Sequence, residues 1–313
     1  AARLFRYRGE MARELAHYHP RGADIVQAFV DGVNAWVARV ERDPSLAPPE
    51  LAAAGLTAGR WTPAVVVSRH NALSMNAGDE IPTARAVHAL GADGYRRVAK
   101  LEPQPASLAL DGLDVPALDT LALEAWDLWR SSPTFGAPGT RTSSLPDERH
   151  LPEGSNNWVI AGRRSASGKP IMANDPHRAI QVPSLRTYVH LVAPGWDVIG
   201  GGEPAVPGVA IGHNRHGAWG LTIFTVDQED LVVYRLDAAN PERYRDGATW
   251  RTFRTEDDTI RVAGASAVVV RHRFARHGPV TRVDTARGLA YAIRGTQWDV
   301  GAAPYLASLR IDQ

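Results

Sequence analysis

The chain has 313 residues, with 35 Lys and Arg against 34 Asp and Glu, 11 His and no Cys. A net charge of +1 excludes the basic footprint of a nucleic-acid binder, and the lack of cysteine excludes a disulfide scaffold, a cysteine nucleophile and a thiolate metal site. No apolar run approaches the ~18 residues of a membrane span, while a hydrophobic share of 44% is ample for the core of one large domain or two.

Ala1 is not an initiator Met, and Ala1 to Phe5 carries no signal-peptide hydrophobic stretch. At the other end Gln313 follows a strand-like run, Tyr305 to Ile311, with no cap or tail. The chain is therefore expected to be a piece of a longer precursor. Its first part reads helical. Ile25, Val26, Phe29, Val33, Trp36, Val37 and Val40 recur at the spacing of one buried helix face, between Pro20 and Gly22 on one side and Pro44, Pro48 and Pro49 on the other. A second helix is expected over Pro63 to Ser74 with Thr62 as its cap, and two more over Ala84 to Leu90 and Leu121 to Trp129.

Ser131 to Gly154 is turn-rich and lacks apolar periodicity, which predicts a surface linker. Beyond it the pattern turns to β. Trp158 to Ala161, Pro170 to Ala173, Leu185 to Val192, Asp197 to Ile199, Val209 to Gly212, Ala218 to Phe224, Leu231 to Leu236, Ala267 to Phe274 and Leu289 to Arg294 are short β-branched and aromatic runs separated by turn residues. No helical run intervenes, which predicts antiparallel sheets. The organisation is thus a mainly helical portion over residues 1–130, a spacer over 131–154 and a β portion over 155–313.

Several familiar signatures fail. Gly162 to Lys169 has one residue too many for a phosphate loop and places Pro170 where a Mg²⁺-binding hydroxyl belongs, so it reads as a hairpin turn. No G-x-S-x-G elbow and no H-E-x-x-H occurs. His213 and His216 fall in a Gly- and Asn-rich turn without a nearby carboxylate in sequence. Gly154-Ser155-Asn156-Asn157-Trp158, where the linker meets the first strand, reads on its own as a turn. Cut before Ser155, however, the same residues would offer a hydroxyl and a free α-amine together. An α-amine has a pKa of about 7.7–8.0, so it can take the hydroxyl proton during attack on a carbonyl without a His/Asp pair.

The blocks around that serine carry a resemblance. They are Gly154-Ser-Asn-Asn-Trp-Val-Ile, Ala166-Ser-Gly-Lys-Pro-Ile-Met-Ala-Asn-Asp-Pro-His177, Pro194-Gly-Trp-Asp-Val, Pro207-Gly-Val-Ala-Ile-Gly-His-Asn, Ala218-Trp-Gly-Leu-Thr, Asp227-Gln-Glu-Asp230 and His277-Gly-Pro-Val, with looser agreement at Phe29-Val-Asp-Gly-Val-Asn-Ala and Gly59-Arg-Trp-Thr-Pro. In order and spacing they resemble the penicillin acylase family of N-terminal-nucleophile hydrolases.

The resemblance implies an α+β fold, the αββα sandwich of antiparallel sheets flanked by helices, truncated here at both ends. It implies a precursor that cuts itself before Ser155, loses a spacer, and works as a heterodimer of its α and β pieces on an N-acylated small molecule. Ser155 would be the nucleophile of both cleavage and catalysis, His177 would orient its amine or hydroxyl, and Asn156 would either bond within the site or shape a turn. The main-chain N–H of Ile223 would be one oxyanion donor. The second, an asparagine, and a further arginine fall beyond Gln313, so the fragment alone is expected not to turn over. In some members Glu80, Asp227, Glu229 and Asp230 would hold a structural Ca²⁺, a hard cation that takes several oxygens; Gln228 stands where some relatives have another acid. Arg178, Ile211 and Leu221 fall at pocket positions, and Arg178 makes a small phenylacetyl-type pocket doubtful. The acyl group is left open among penicillin-type, N-acyl homoserine lactone-type and lipopeptide-type amides. The resemblance also implies export to the periplasm or beyond. Two rivals are a non-catalytic secreted β-rich binding domain of this fold and a triad-type serine hydrolase with a His and an Asp beside Ser155.

Overall fold

The computed structural model describes residues 1–69, 76–99, 107–131, 154–177, 184–222, 227–262 and 264–311. Its helices are α1 (Met11–Tyr18), α2 (Gly22–Arg42), α3 (Pro49–Ala53), α4 (Pro63–Arg69), α5 (Glu80–Val98) and α6 (Glu124–Arg130). Among the described residues every strand comes after Gly154: β1 (Ser155–Ile160), β2 (Ile171–Pro176), β3 (Thr187–Ala193), β4 (Trp196–Gly202), β5 (Ile211–His213), β6 (Ala218–Trp219), β7 (Glu229–Asp237), β8 (Asn240–Asp246), β9 (Thr249–Thr252), β10 (Arg254–Ile260), β11 (Val268–Ala275), β12 (Gly278–Asp284) and β13 (Leu289–Gly295). All pairings are antiparallel. Helices with antiparallel sheets are the α+β class the sequence predicts.

The chain divides into two compact units, each drawing on both the helical and the β portions. One comprises Ala1–Arg8, Asn71–Ser131 and Thr225–Asp299; the other comprises Gly9–His70, Ser132–Phe224 and Val300–Gln313.

The first unit is built on a sheet in the order β10-β11-β12-β13-β7-β8-β9. β13 lies at its centre, and its sequence Leu-Ala-Tyr-Ala-Ile is apolar at successive positions because both faces are covered. Tyr291 and Ile293 join Phe5, Ile81, Val115 and Trp126 in one core, while Ala290 and Ala292 join Tyr234, Tyr244 and Phe253 in another. Phe5 stacks on Trp129 with ring centres 4.7 Å apart and on Trp298 at 6.0 Å. α5 is longer than the sequence run suggests and bends at Gly91, whose φ of 72° few other residues adopt. Asp119 starts the 3₁₀ turn Thr120–Leu123 ahead of α6 by accepting from the N–H of Leu121.

The second unit holds α1–α4, the hairpin β1-β2 and a sheet ordered β3-β4-β5-β6. α2 follows its predicted span, and Asn34 on it donates to the carbonyl of Trp61 and accepts from that residue's N–H, at 3.0 and 2.7 Å. Two sequence blocks are thereby tied together. α1 escaped the sequence reading because its apolar residues are few; Leu15 and Tyr18 are buried along with Glu14. Gly162 to Lys169 is the connection of the β1-β2 hairpin, as expected. The strand-like reading of Tyr305 to Ile311 is overturned: Pro304–Arg310 winds as 3₁₀ turns. At three residues per turn Leu306 and Leu309 fall on one side and are both fully buried.

Candidate active site

Ser155 opens β1, paired with Pro176 of β2, and Asn156 pairs with Asp175. Pro176 has no N–H to give the ladder. The next donor, the N–H of His177, reaches the carbonyl oxygen of Gly154 at 3.1 Å. The hydroxyl of Ser155 donates to the same oxygen at 2.6 Å. A polarised carbonyl thus sits directly before the candidate nucleophile.

Asn156, Asp175 and His177 close around this junction. Oδ2 of Asp175 accepts from Nδ2 of Asn156 at 3.1 Å and lies 3.2 Å from Nε2 of His177; Nδ2 of Asn156 also lies 3.2 Å from Nε2. Hydrogen bonds from Asn156 first, and then from His177, hold the Asp175 carboxyl below the usual carboxylate range. An Asp/His pair thus lies at the end of β2, and the main-chain N–H of its His177 bonds the carbonyl of the residue before Ser155. From the sequence alone Asp175 has no distinct role, since Asn-Asp-Pro-His reads as a turn until the hairpin register is known.

A second residue missed by the sequence reading is Asn174. Its Nδ2 donates to the carbonyls of Asn156 and Leu221, both at 2.9 Å, and its Oδ1 accepts from the N–H of Leu221 at 3.0 Å. This fixes the Trp219–Leu221 segment beside the hairpin. The approach requires glycine at 220, where an added Cβ would stand 2.7 Å from Cβ of Asn174 and 2.9 Å from Nδ2 of Asn157. Trp219 is anchored by its indole N–H on the carbonyl of Val209 at 2.9 Å. Leu221 is partly exposed and Ile211 half-buried in β5. Ile223 and Arg178 lie outside the described residues.

The acidic set belongs to the first unit and divides. Burial, then Asp227 and Asp230, pushes the Glu80 carboxyl up to about 7. Asp227 accepts from Nδ2 of Asn76 at 2.7 Å, and Asp230 lies 3.6 Å from Arg294. Glu229 is different, at 1% exposure. Its Oε2 accepts from the N–H of Ala77 at 3.0 Å, and its Oε1 from Gln297 at 2.9 Å and the Trp126 indole at 3.4 Å. Asn76 completes the arrangement, accepting from the N–H groups of Gln228 and Glu229, both at 3.1 Å. Among the described residues no three acidic or histidine side chains converge as a metal site, and the oxygens of Glu229 are already engaged by donors.

The family model for penicillin amidase matches residues 1–313. Acyl-homoserine lactone acylase QuiP of Pseudomonas aeruginosa is 29% identical over 266 residues, covering 83% of this chain and 30% of that protein. Penicillin G acylase of Escherichia coli is 25% identical over 329 residues, covering 91% of this chain and 39% of that protein. The chain thus spans about a third of the length of these curated relatives. A solved thermostable penicillin G acylase from Alcaligenes faecalis aligns with a TM-score of 0.42 at 25% identity, over 47% of this chain and 28% of that one. With its whole length matched by the family model, the chain belongs to the penicillin amidase family.

Proposed function

We propose that the full-length protein cuts its own backbone between Gly154 and Ser155 and then uses Ser155 to hydrolyse the amide of an N-acylated small molecule. The observation that carries this reading is the Ser155 hydroxyl on the carbonyl oxygen of Gly154 at 2.6 Å, at the start of a strand that begins where the turn-rich spacer ends. The penicillin and acyl-homoserine lactone acylases among its relatives support the class of substrate.

After cleavage the Ser155 amine, with a pKa of about 7.7–8.0, accepts the hydroxyl proton as Oγ attacks the substrate carbonyl. The leaving amine takes that proton, and water releases the acyl group from the serine. The N–H of Ile223 meets the oxyanion; losing such a donor costs about 2.7–4 kcal/mol in the barrier. Asn174 acts on that loop from a distance by holding Leu221. Ile211 and Leu221 offer apolar surface to an acyl chain, and Arg178 a polar boundary. The product is a heterodimer of α and β pieces in the periplasm or outside the cell. Among the described residues no helix is long and apolar enough to cross a membrane.

Calcium, which the family resemblance implies, stays part of the proposal, although among the described residues no three of these side chains converge as a metal site. Glu80 is pushed up to about 7 partly by Asp227 and Asp230, a repulsion that a hard cation would relieve. Glu229 would then brace the site through Ala77, Trp126 and Gln297 and supply no side-chain oxygen to the ion.

The test is made on the full-length protein. It should separate into two pieces on a denaturing gel, the later one beginning Ser-Asn-Asn-Trp. Ser155→Ala should leave one uncut chain without amidase activity, and Ser155→Cys should still cut while losing most turnover. Active enzyme with an intact Gly154–Ser155 bond would end the reading.

A further inference from the structure

One buried arginine has nothing to hold. Nε and Nη1 of Arg186 are both shut off from solvent, and no described residue accepts a hydrogen bond from either. Nor does Arg186 pair with a described acid, although the buried Glu203 follows Gly202, the partner of Thr187 in the β3-β4 ladder. A guanidinium is always charged, and burying one without an acceptor is unfavourable unless a ligand supplies it. Resting on the amide hydrolysis proposed above, we infer that Arg186 receives a carboxylate at the far end of the substrate's acyl chain.

The sheet puts this arginine beside the acyl wall. Gly201 of β4 stands opposite Tyr188 of β3 and opposite Ile211 of β5, and residues directly opposite share one face of a sheet. The stem of Arg186 lies over that glycine: a Cβ built on Gly201 would be 3.8 Å from Cδ of Arg186 and 3.9 Å from Cε1 of Tyr188. Ile211, which offers apolar surface to the acyl chain, is one strand away on the same face. The guanidinium carbon ends 6.0 Å from the ring centre of Tyr305, a cation–π contact that steadies the group without giving its N–H donors an acceptor in the plane. These residues all belong to the second unit.

A carboxylate suits this setting. It is planar and negative and it only accepts, which matches donors fixed in the plane of a guanidinium. A methyl-ended chain would cover the arginine and leave both nitrogens unbonded. The substrate class is the monoamide of an aliphatic dicarboxylic acid, its amide carbonyl at Ser155 and its free carboxylate on Arg186.

The test compares full-length wild type with Arg186→Met. The substrates are straight-chain dicarboxylic monoamides of increasing length and methyl-ended amides of matching length, all on one leaving amine. Wild type should favour the carboxylate-ended series in kcat/KM at the length that reaches Arg186. Arg186→Met should cut that preference about 30-fold or more, because removing one partner of a buried, hydrogen-bonded charge pair is costly. Equal rates on the two series in wild type, or a preference unchanged in Arg186→Met, overturn the inference and leave amide hydrolysis standing. A second readout needs no turnover. A dicarboxylic acid monoamide should raise the wild-type melting temperature more than its methyl-ended counterpart does, and more than sulfate at the same ionic strength. A shift matched by sulfate marks an unselective anion site and overturns the inference. Without ligand, Arg186→Met should hold or raise the melting temperature, since an apolar side chain replaces an uncompensated buried charge. A lowered melting temperature would mean that an acid of the protein itself pairs with Arg186, and that too overturns the inference. Wild type that stays uncut and inert on every amide is a failure of the underlying reading, and takes the substrate assignment with it.

Discussion

Glu80 and Glu229 look alike on the page of sequence and behave oppositely. Folding holds the Glu80 carboxyl above its ordinary 4.5, at about 7, so the folded chain favours its protonated form. The stability this gives is whole below pH ~4.5 and fades as pH rises through about 7. Without added cation, Glu80→Gln should therefore raise the melting temperature at pH 8 and hardly change it at pH 4; thermal unfolding at the two pH values checks this. Ca²⁺ should raise the wild-type melting temperature at pH 8 and lose that effect in the variant. Glu229→Ala should do the reverse of Glu80→Gln. It strands the N–H of Ala77 and the amide of Gln297 in a buried place, at about 1–3 kcal/mol for each unsatisfied group, measurable as a lowered urea midpoint. Gly220→Ala drives a methyl to within 2.7 Å of the Asn174 side chain, so a loss of about 1–3 kcal/mol is expected. Composition carried none of these distinctions. Ser155, Asn156 and His177 are singled out by their sequence blocks, whereas the contacts of Asp175 and Asn174 emerge only with β1 and β2 in register.

The elements divide by what the sequence could show. α2 and β13 were visible because their apolar residues follow a helical or a near-continuous pattern. β8, β9, β10 and β12 were missed because charge interrupts the apolar alternation. β10, Arg-Thr-Glu-Asp-Asp-Thr-Ile, is an edge strand stitched by ion pairs: Asp257 meets Arg271 across the strands at 2.8 Å, Arg8 meets Glu256 at 2.9 Å, and Arg3 meets Asp258 at 2.7 Å. The Asp257–Arg271 pair, exposed on both sides, adds little, commonly about 0.2–1 kcal/mol. Asp257→Ala should accordingly shift the urea midpoint only slightly. Phe5→Ala, which empties a fully buried stack on Trp129 and Trp298, should cost about 3–5 kcal/mol. The 3₁₀ segment Pro304–Arg310 shows the same limit from the other side. Its leucines at a spacing of three suit a short strand as readily as a tight helix, and Pro304 with the neighbouring fold selects the latter. Buried Glu14 holds the residues just before it, accepting from the N–H groups of Gly301 and Ala303 at 2.8 and 3.2 Å.

At the scale of the whole molecule, the change from helix to strand along the chain was legible, but the compact units were not, because neither follows that change. Each takes chain from before and from after residue 154. Within the first, the Arg282–Asp119 pair at 3.1 Å and the Glu229 anchor join chain from before and after the proposed cut; within the second, Arg310 reaches the carbonyls of Tyr18 and His17. A molecule woven this way has no seam along which halves nicked at the proposed site would part while folded. Once fully denatured, though, those halves are strangers, and regaining the native state becomes an encounter between two molecules instead of a rearrangement of one. Refolding yield of the nicked form should fall on dilution, whereas that of the uncut Ser155→Ala chain should not depend on concentration in that way.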